Sequence, residues 1–385
     1  MNNKVMILAG EASGDLHGAG LVAAMLAKRP ELSFFGMGHE NLVAAGVNVL
    51  FDAKKIAVVG VAEVFSHLPD ILAARKILRK ALREERPDLL IVIDFPDFNL
   101  MLAKYAKKLG IPVFYYITPQ VWAWRSGRIK TIAQRVDRIG VILPFEEEFF
   151  RNRGLAADYV GHPLLDSVKS TRTRKEFCKD YNIDPESLCI GLLPGSRKKE
   201  IVSLLPILLQ TAGRLQKLKQ KQQKMFFLLP LASTVSEEEI RENGLDEFGG
   251  ELDFRIIKEN RHDMMAACDA AVVVSGTVTL ELALLDTPMV VIYKLSPSTY
   301  RIARLLVNKD LQHYSLVNLV GGKEIVPELI QDEVNPERIE TELSAILFDQ
   351  KRRDVMLQGL EAVRLRMGKA GASDKAAELA LSLLS

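Results

Sequence analysis

The sequence predicts an α/β protein of two doubly wound halves. Short, unbroken apolar runs alternate with longer stretches of helical periodicity, the pattern of strands buried on both faces and joined by right-handed helical crossovers. Two of these runs end alike. Ile190 to Leu193 breaks at Pro194-Gly195 before a helical pattern opens at Ser196, and Val5 to Ala9 breaks at Gly10-Glu11-Ala12-Ser13-Gly14 before a helix from Leu16 onward. The two turns lie about 185 residues apart, which fits one such unit in each half.

Bulk properties narrow the class. A chain of 385 residues with 48% apolar side chains has core enough for two domains, and a net charge of +2 points to no nucleic-acid partner. Cys178, Cys189 and Cys268 are odd in number and widely spaced, so neither a disulfide framework nor a zinc site is indicated and a reducing cytoplasm is the natural setting. The first apolar run is short and is followed by Glu11 and Asp15, unlike a signal peptide. No run approaches the ~18 apolar residues of a spanning helix, so any membrane contact is expected to be peripheral.

The first domain is expected over residues 1–165. After the first strand and helix, Phe34-Phe35-Gly36-Met37-Gly38 reads as a second strand and turn. Residues 58–86 begin apolar, with Val58, Val61, Phe65, Leu68 and Leu72, and continue basic, with Arg75, Lys76, Arg79, Lys80, Arg83 and Arg86. That pairing suits an interfacial helix on an anionic membrane, and equally a core-facing helix with a solvated basic face. The run from Leu89 delivers Asp94-Phe95-Pro96-Asp97-Phe98-Asn99 to the carboxyl edge of the sheet, where α/β active sites lie. The next strand leads to Thr118-Pro119-Gln120 and then to both tryptophans, Trp122 and Trp124, which suit either sugar contact or packing. A strand from Ile139 ends in Pro144-Phe145-Glu146, and the half closes near Gly161-His162-Pro163.

The second domain is expected over residues 166–340, repeating strand and helix. Its strands include Met225 to Leu229, Phe254 to Ile257, Ala270 to Val274 and, as the last clear one, Met289 to Tyr293. The strand from Ala270 runs into Ser275-Gly276-Thr277 and a helix start carrying Glu281. From Pro336 the pattern is helical, and residues 341–385 are expected to form closing helices able to lean back on the first domain.

Four loops therefore fall on carboxyl edges, two in each half. The turn at Gly195, Ser196 and Arg197 presents unpaired backbone N–H groups, the positive end of a helix dipole and a guanidinium, all suited to a diphosphate. Glu281 could accept from both hydroxyls of a ribose, or serve as ordinary helix-start chemistry beside Thr277. No P-loop, no Gly-x-Gly-x-x-Gly and no nucleophile elbow occurs, histidines never pair at i and i+4, and no Asp-x-Asp occurs, so neither a metal nor a cofactor is indicated. Isolated His17 and His262 read as structural.

As a set, these stretches resemble the lipid-A-disaccharide synthase family, inverting glycosyltransferases of the GT-B fold. The likeness is carried in order by Gly10 to Asp15, Pro96 to Asn99, Pro119 to Arg125, Leu143 to Glu146, Gly161 to Leu164, Leu193 to Arg197, Ser275 to Glu281, and Asn318 ahead of Val326-Pro327-Glu328. Two positions depart from the family pattern: Val317 stands where Pro usually precedes the Asn, and Thr118 stands where Ser is more usual.

The resemblance implies transfer of a diacylated glucosamine from UDP to the 6-hydroxyl of a diacylated glucosamine 1-phosphate, giving a β-1,6-linked disaccharide and UDP. It implies two facing Rossmann-like domains, Asp97 as base with Asp94 as the alternative, and a donor site of Gly195, Ser196, Arg197, Ser275, Gly276, Thr277, Glu281, Asn318 and Arg304. The acceptor side would draw on Glu11, Ser13, Gly14, Asp15, Trp122, Trp124 and Arg125. The expected partners are the two lipid substrates and the inner leaflet of the inner membrane, with a homo-oligomer left open and no cofactor required. A UDP-N-acetylglucosamine 2-epimerase-like enzyme and a non-catalytic nucleotide-sugar or lipid-binding protein are the alternatives.

Overall fold

The computed structural model describes residues 3–56, 67–124, 127–218, 224–232, 235–248, 252–297, 299–301 and 311–384. Residues 57–66, which begin the mixed apolar and basic segment, lie outside it, as do Arg125 and Arg304.

The described residues form two compact units. One takes the chain up to Asp166 and again from Lys369, and the other takes the stretch between Ser167 and Gly368. Each is organised on one parallel sheet. The first sheet has seven strands: β1 (Lys4–Ala9), β2 (Ser33–Gly38), β3 (Asn48–Asp52), β4 (Leu89–Ile93), β5 (Val113–Tyr116), β6 (Arg138–Val141) and β7 (Ala157–Tyr159), in the order β3-β2-β1-β4-β5-β6-β7. The second has six: β8 (Leu188–Leu193), β9 (Met225–Pro230), β10 (Phe254–Ile257), β11 (Ala270–Val274), β12 (Met289–Tyr293) and β13 (Glu328–Ile330), in the order β10-β9-β8-β11-β12-β13.

Both sheets reverse strand order beside their first strand, between β1 and β4 and between β8 and β11. Such a switch point splays the following loops apart and opens a crevice at the carboxyl edge. The central strands are wholly apolar because both faces are covered. In the first sheet Met6, Leu8, Leu90, Val92 and Tyr115 pack on one side, and Val5, Ile7, Leu89, Ile91 and Phe114 on the other.

The helix Leu68–Glu85 buries Ala74, Leu78 and Leu82 in the first core and leaves Leu68, Leu72 and Ile77 exposed. It is thus a core-facing helix that also keeps apolar side chains among its basic ones. The closing helices divide differently from the single block expected over residues 341–385. Pro336–Phe348 and Gln350–Met367 pack within the second unit, against the helices Lys198–Lys217 and Leu316–Gly321. Only Ala372–Leu381 belongs to the first, where Ala376, Ala377 and Ala380 give a flat small-residue face beside the helix Ala12–Lys28.

Candidate functional sites

In the second unit, β8 ends at Leu193 and the chain turns through Gly195 at φ +110, a value that side chains rarely adopt. A Cβ there would stand 2.3 Å from Glu200 Oε2, so the glycine also makes room for that carboxylate. The helix then starts at Lys198, two residues later than its sequence pattern suggested, because Ser196 and Arg197 stay extended or turned to finish the loop. Glu200 accepts from the Arg197 N–H at 3.3 Å and from the Arg197 Nη1 at 3.3 Å, tying the loop to the first helical turn.

Gly195, Ser196 and Arg197 line a cavity of about 570 Å³ together with Ser275, Gly276, Thr277 and Glu281 from the loop after β11. That volume is in the usual range for a small-molecule site. Arg261, which follows β10, lines it too and donates to Glu281 at 3.1 Å, while His262 Nε2 lies 3.2 Å from the other Glu281 oxygen. Glu281 is buried, in the first turn of the helix Val278–Leu284, with both oxygens already engaged. Arg197 is 70% exposed and can reach a ligand that enters the cavity.

Asn318 does not join this group. It is fully buried: Nδ2 donates to Val326 O and Glu328, while Oδ1 accepts from the N–H groups of Ile325 and Val326. With every valence of its amide used internally, it braces the segment before β13 instead of meeting a ligand directly. Glu328 extends the brace, accepting also from Tyr314 N and from both Ser315 N and Oγ, and Ser275 Oγ donates to Tyr314 O at 3.3 Å.

In the first unit, β4 ends in two successive left-handed residues, Asp94 and Phe95, each at φ +43. Neither is glycine, so the turn is strained, and such strain persists only where neighbours hold it. The Asp94 carbonyl accepts from Tyr115 OH at 3.0 Å and Asn99 Nδ2 at 2.8 Å. Gly10 allows the approach of β1, since a Cβ there would fall 2.3 Å from the Phe95 ring. Pro96 opens the helix Pro96–Lys108, with Asp97 in its first turn.

The two carboxylates differ sharply. Asp94 is half-buried, and its pKa is pushed up to about 6 by burial and then by the nearby Glu11, against the Phe95 N–H and Arg128. The Asp97 side chain is 77% exposed, and Arg128 Nη2 donates to its two oxygens at 2.6 and 2.7 Å. The Arg128 guanidinium, only 12% exposed, also lies 5.6 Å from the centre of the Trp124 ring. Glu11, Asp94, Asp97, Trp124 and Arg128 thus gather on one sheet edge.

Several expected acceptor residues point elsewhere. Asp15 is fully buried and accepts from the N–H groups of His39, Asn41 and Leu42 and from Asn41 Nδ2, so it caps the short helix Glu40–Ala44. Gly14 is buried against β4, while Glu11 and Ser13 are exposed at the start of the helix Ala12–Lys28. Trp122 is a packing residue: it is 7% exposed, meets Phe145 edge-on at 5.1 Å, and donates its Nε1–H to Glu146 at 2.9 Å. Trp124, by contrast, is 41% exposed. Glu146 also accepts from Leu143 N, and burial drives its pKa up to about 7.

Arg128, Arg261 and Glu146 had no assigned role from sequence. Arg128 opens the helix Arg128–Ala133 and Arg261 opens the helix Arg261–Ala267 after β10, positions at which a cation reaches a carboxyl edge. Glu146 answers the need of a buried indole N–H for an acceptor.

Two doubly wound units, each with its polar loops on the carboxyl edge, are the fold class of the GT-B glycosyltransferases and the related nucleotide-sugar epimerases. Solved structures agree across nearly the whole chain. The glycosyltransferase of kitacinnamycin matches at TM-score 0.63 with 14% identity, covering 99% of both chains. MurG of Acinetobacter baumannii matches at TM-score 0.61 with 15% identity, covering 98% of this chain and 99% of its own. Sequence comparison is more specific. The family model described as lipid-A-disaccharide synthetase matches residues 5–381. The lipid-A-disaccharide synthase of Syntrophus aciditrophicus is 49% identical over all of this chain and 99% of its own, and that of Geobacter sulfurreducens is 44% identical over all of this chain and 98% of its own. The chain belongs to the lipid-A-disaccharide synthase family of glycosyltransferases.

Proposed function

We propose that this enzyme joins UDP-2,3-diacylglucosamine to 2,3-diacylglucosamine 1-phosphate, releasing UDP and a β-1,6-linked disaccharide 1-phosphate. Family membership over residues 5–381 supports the reaction, and the cavity of about 570 Å³ around Gly195 and Glu281 is the observation that supports a nucleotide-sugar donor in the second unit.

The donor's α-linkage becomes β if the acceptor oxygen attacks C1 from the face opposite UDP. The new O6–C1 bond forms as the C1–O bond to UDP breaks, the bonding pair leaves with the diphosphate, and the acceptor hydroxyl proton passes to a carboxylate. Asp97 is the proposed base, since its side chain, 77% exposed, stands on the carboxyl edge in the first turn of its helix. Asp94 is the second candidate, favoured by a pKa of about 6 and by the strain stored at its turn. Negative charge grows on the departing UDP, and the loop N–H groups, the positive end of the helix Lys198–Lys217, Arg197 and Arg261 act where it grows, without need of a metal. Glu281 would accept from ribose hydroxyls as Arg261 turns to phosphate, and Trp124 would lie under an acceptor sugar.

The helix Leu68–Glu85 supports peripheral contact with the inner leaflet of the inner membrane from the cytoplasm. Arg75, Lys76, Arg79, Lys80 and Arg83 line a groove of about 410 Å³ beside exposed Leu72, and no helix among the described residues is long and apolar enough to cross a membrane. Binding to anionic vesicles should therefore weaken as salt rises. Equal binding to neutral and anionic vesicles would remove the membrane reading. For the reaction, disaccharide formation from the two purified lipids is the test, and failure to form product with both present would refute it.

A further inference from the structure

We propose that Arg128 binds the phosphate of the acceptor, and that this contact draws it away from Asp97. The inference rests on the acceptor reading of the first unit given above. Its structural basis is the placement of one guanidinium among acids. Arg128 Nη2 alone makes the described hydrogen bonds to Asp97, so Nε and Nη1 keep the donors that a tetrahedral oxyanion takes in pairs. The side chain is largely enclosed and lies against the Trp124 ring, which limits where it can swing.

Electrostatics makes such a cation necessary. Glu11, Asp94 and Asp97 share this sheet edge, and Glu11 already acts unfavourably on the charge of Asp94. A sugar phosphate entering among these carboxylates is repelled unless a cation receives it. Among the described residues, Arg128 is a cation whose charge reaches both Asp94 and Tyr115. While both Asp97 oxygens accept from it, they are poorly placed to accept from a sugar hydroxyl. A phosphate near charge −2 competes for the guanidinium better than a single carboxylate does, and planar arginine suits that exchange better than lysine. The phosphate and the 6-hydroxyl belong to one sugar ring, so a single bound acceptor can occupy Arg128 and meet Asp97 together. The acceptor phosphate then matters for turnover as well as for affinity.

The test compares the phosphorylated acceptor with the same diacylated sugar lacking phosphate, using the full chain and the variants Arg128→Ala and Arg128→Lys. In the unaltered enzyme the phosphorylated acceptor should be favoured, with part of the preference in kcat. Arg128→Ala should lower kcat/KM for it by roughly 10- to 100-fold, the worth of one or more charge-assisted hydrogen bonds, and should not lower kcat for the dephosphorylated acceptor, because the variant removes the guanidinium that otherwise stays on Asp97. Arg128→Lys should restore part of the loss, and UDP affinity should not change in either variant. Equal losses on both acceptors, or an undiminished preference for phosphate, would overturn the proposal. Should Arg128→Ala lose UDP binding through misfolding, the lysine variant carries the comparison, and an unaltered preference in it counts against Arg128. A native enzyme that makes no disaccharide from either acceptor would instead refute the reaction itself.

Discussion

Arg128 Nη2 donates to both carboxylate oxygens of Asp97, at 2.6 and 2.7 Å, beside a second carboxylate, Asp94, held in a strained turn. The pair sits where β4 and β5 deliver their loops, and it ties the proposed base to the loop that carries Trp124. Removing the carboxylate should therefore affect chemistry more than folding. Asp97→Asn is expected to cut kcat by about 10²- to 10⁴-fold, the usual worth of a general base, with UDP affinity unchanged. Turnover within a few-fold of the native enzyme, in a steady-state assay of UDP release, would exclude Asp97 as the base.

Asp94 supplies a pH test. Its carboxyl titrates at about 6, raised from 3.8, so the charged form is lost as the pH falls through about 6. If Asp94 must be ionised for turnover, kcat/KM should decline on the acid side with that midpoint, and Asp94→Asn should abolish the limb along with most of the activity. An unchanged acid limb in the residual activity of Asp94→Asn would assign it to another group.

Glu146 makes a prediction about stability. Folding raises its pKa from 4.5 to about 7, so its protonated form is favoured in the native state. That contribution is complete below about pH 4.5 and is lost as the pH rises through about 7. The native protein should thus lose roughly 3 kcal/mol relative to Glu146→Gln between those limits, since each pH unit is worth ~1.4 kcal/mol. Urea unfolding of both proteins at several pH values measures it. A difference that does not vary with pH would mean that Glu146 stays charged beside Trp122.

The donor loop depends on the left-handed turn at Gly195. Gly195→Ala places a Cβ against Glu200 at an unfavourable φ, a strain of about 1–3 kcal/mol, and should weaken UDP binding by roughly tenfold or more. Arg197→Ala should weaken it as well. Calorimetric titration with UDP is the measurement, and unchanged affinity in both variants would place the diphosphate elsewhere.

Asp15 should act through folding. Three backbone N–H groups and one amide depend on its carboxylate, so Asp15→Ala is expected to cost at least ~2 kcal/mol. A urea midpoint equal to that of the native protein would show that water or a neighbour replaces the carboxylate.

The layered plan was legible because strands covered on both faces must be apolar throughout: Leu89 to Ile93 and Ala270 to Val274 admit no other reading. The edge strands were not. β3 carries Asn48 and Asp52 at its ends, and β13 has only three residues after Pro327, so neither shows the long apolar run of a central strand. The turns that hold the sites were readable for a similar reason, as Pro194-Gly195 and Asp94 to Asn99 interrupt strong patterns. What the letters do not carry is the direction of a side chain beside a turn. Asp15, Trp122 and Asn318 all look like ligand groups in one dimension, yet each satisfies its polar atoms inside the fold. Arg128 and Arg261 carry no signal in the sequence because single cations are common on surfaces, and only the folded sheet edges bring them to Asp97 and Glu281.

The most direct test of glycosyl transfer is the release of UDP by the purified protein, measured beside disaccharide by mass spectrometry, with donor alone and with donor plus phosphorylated acceptor. UDP should appear only when the acceptor is present, one molecule for each disaccharide formed. UDP or an epimerised sugar arising from donor alone, with no disaccharide when both lipids are supplied, would contradict it.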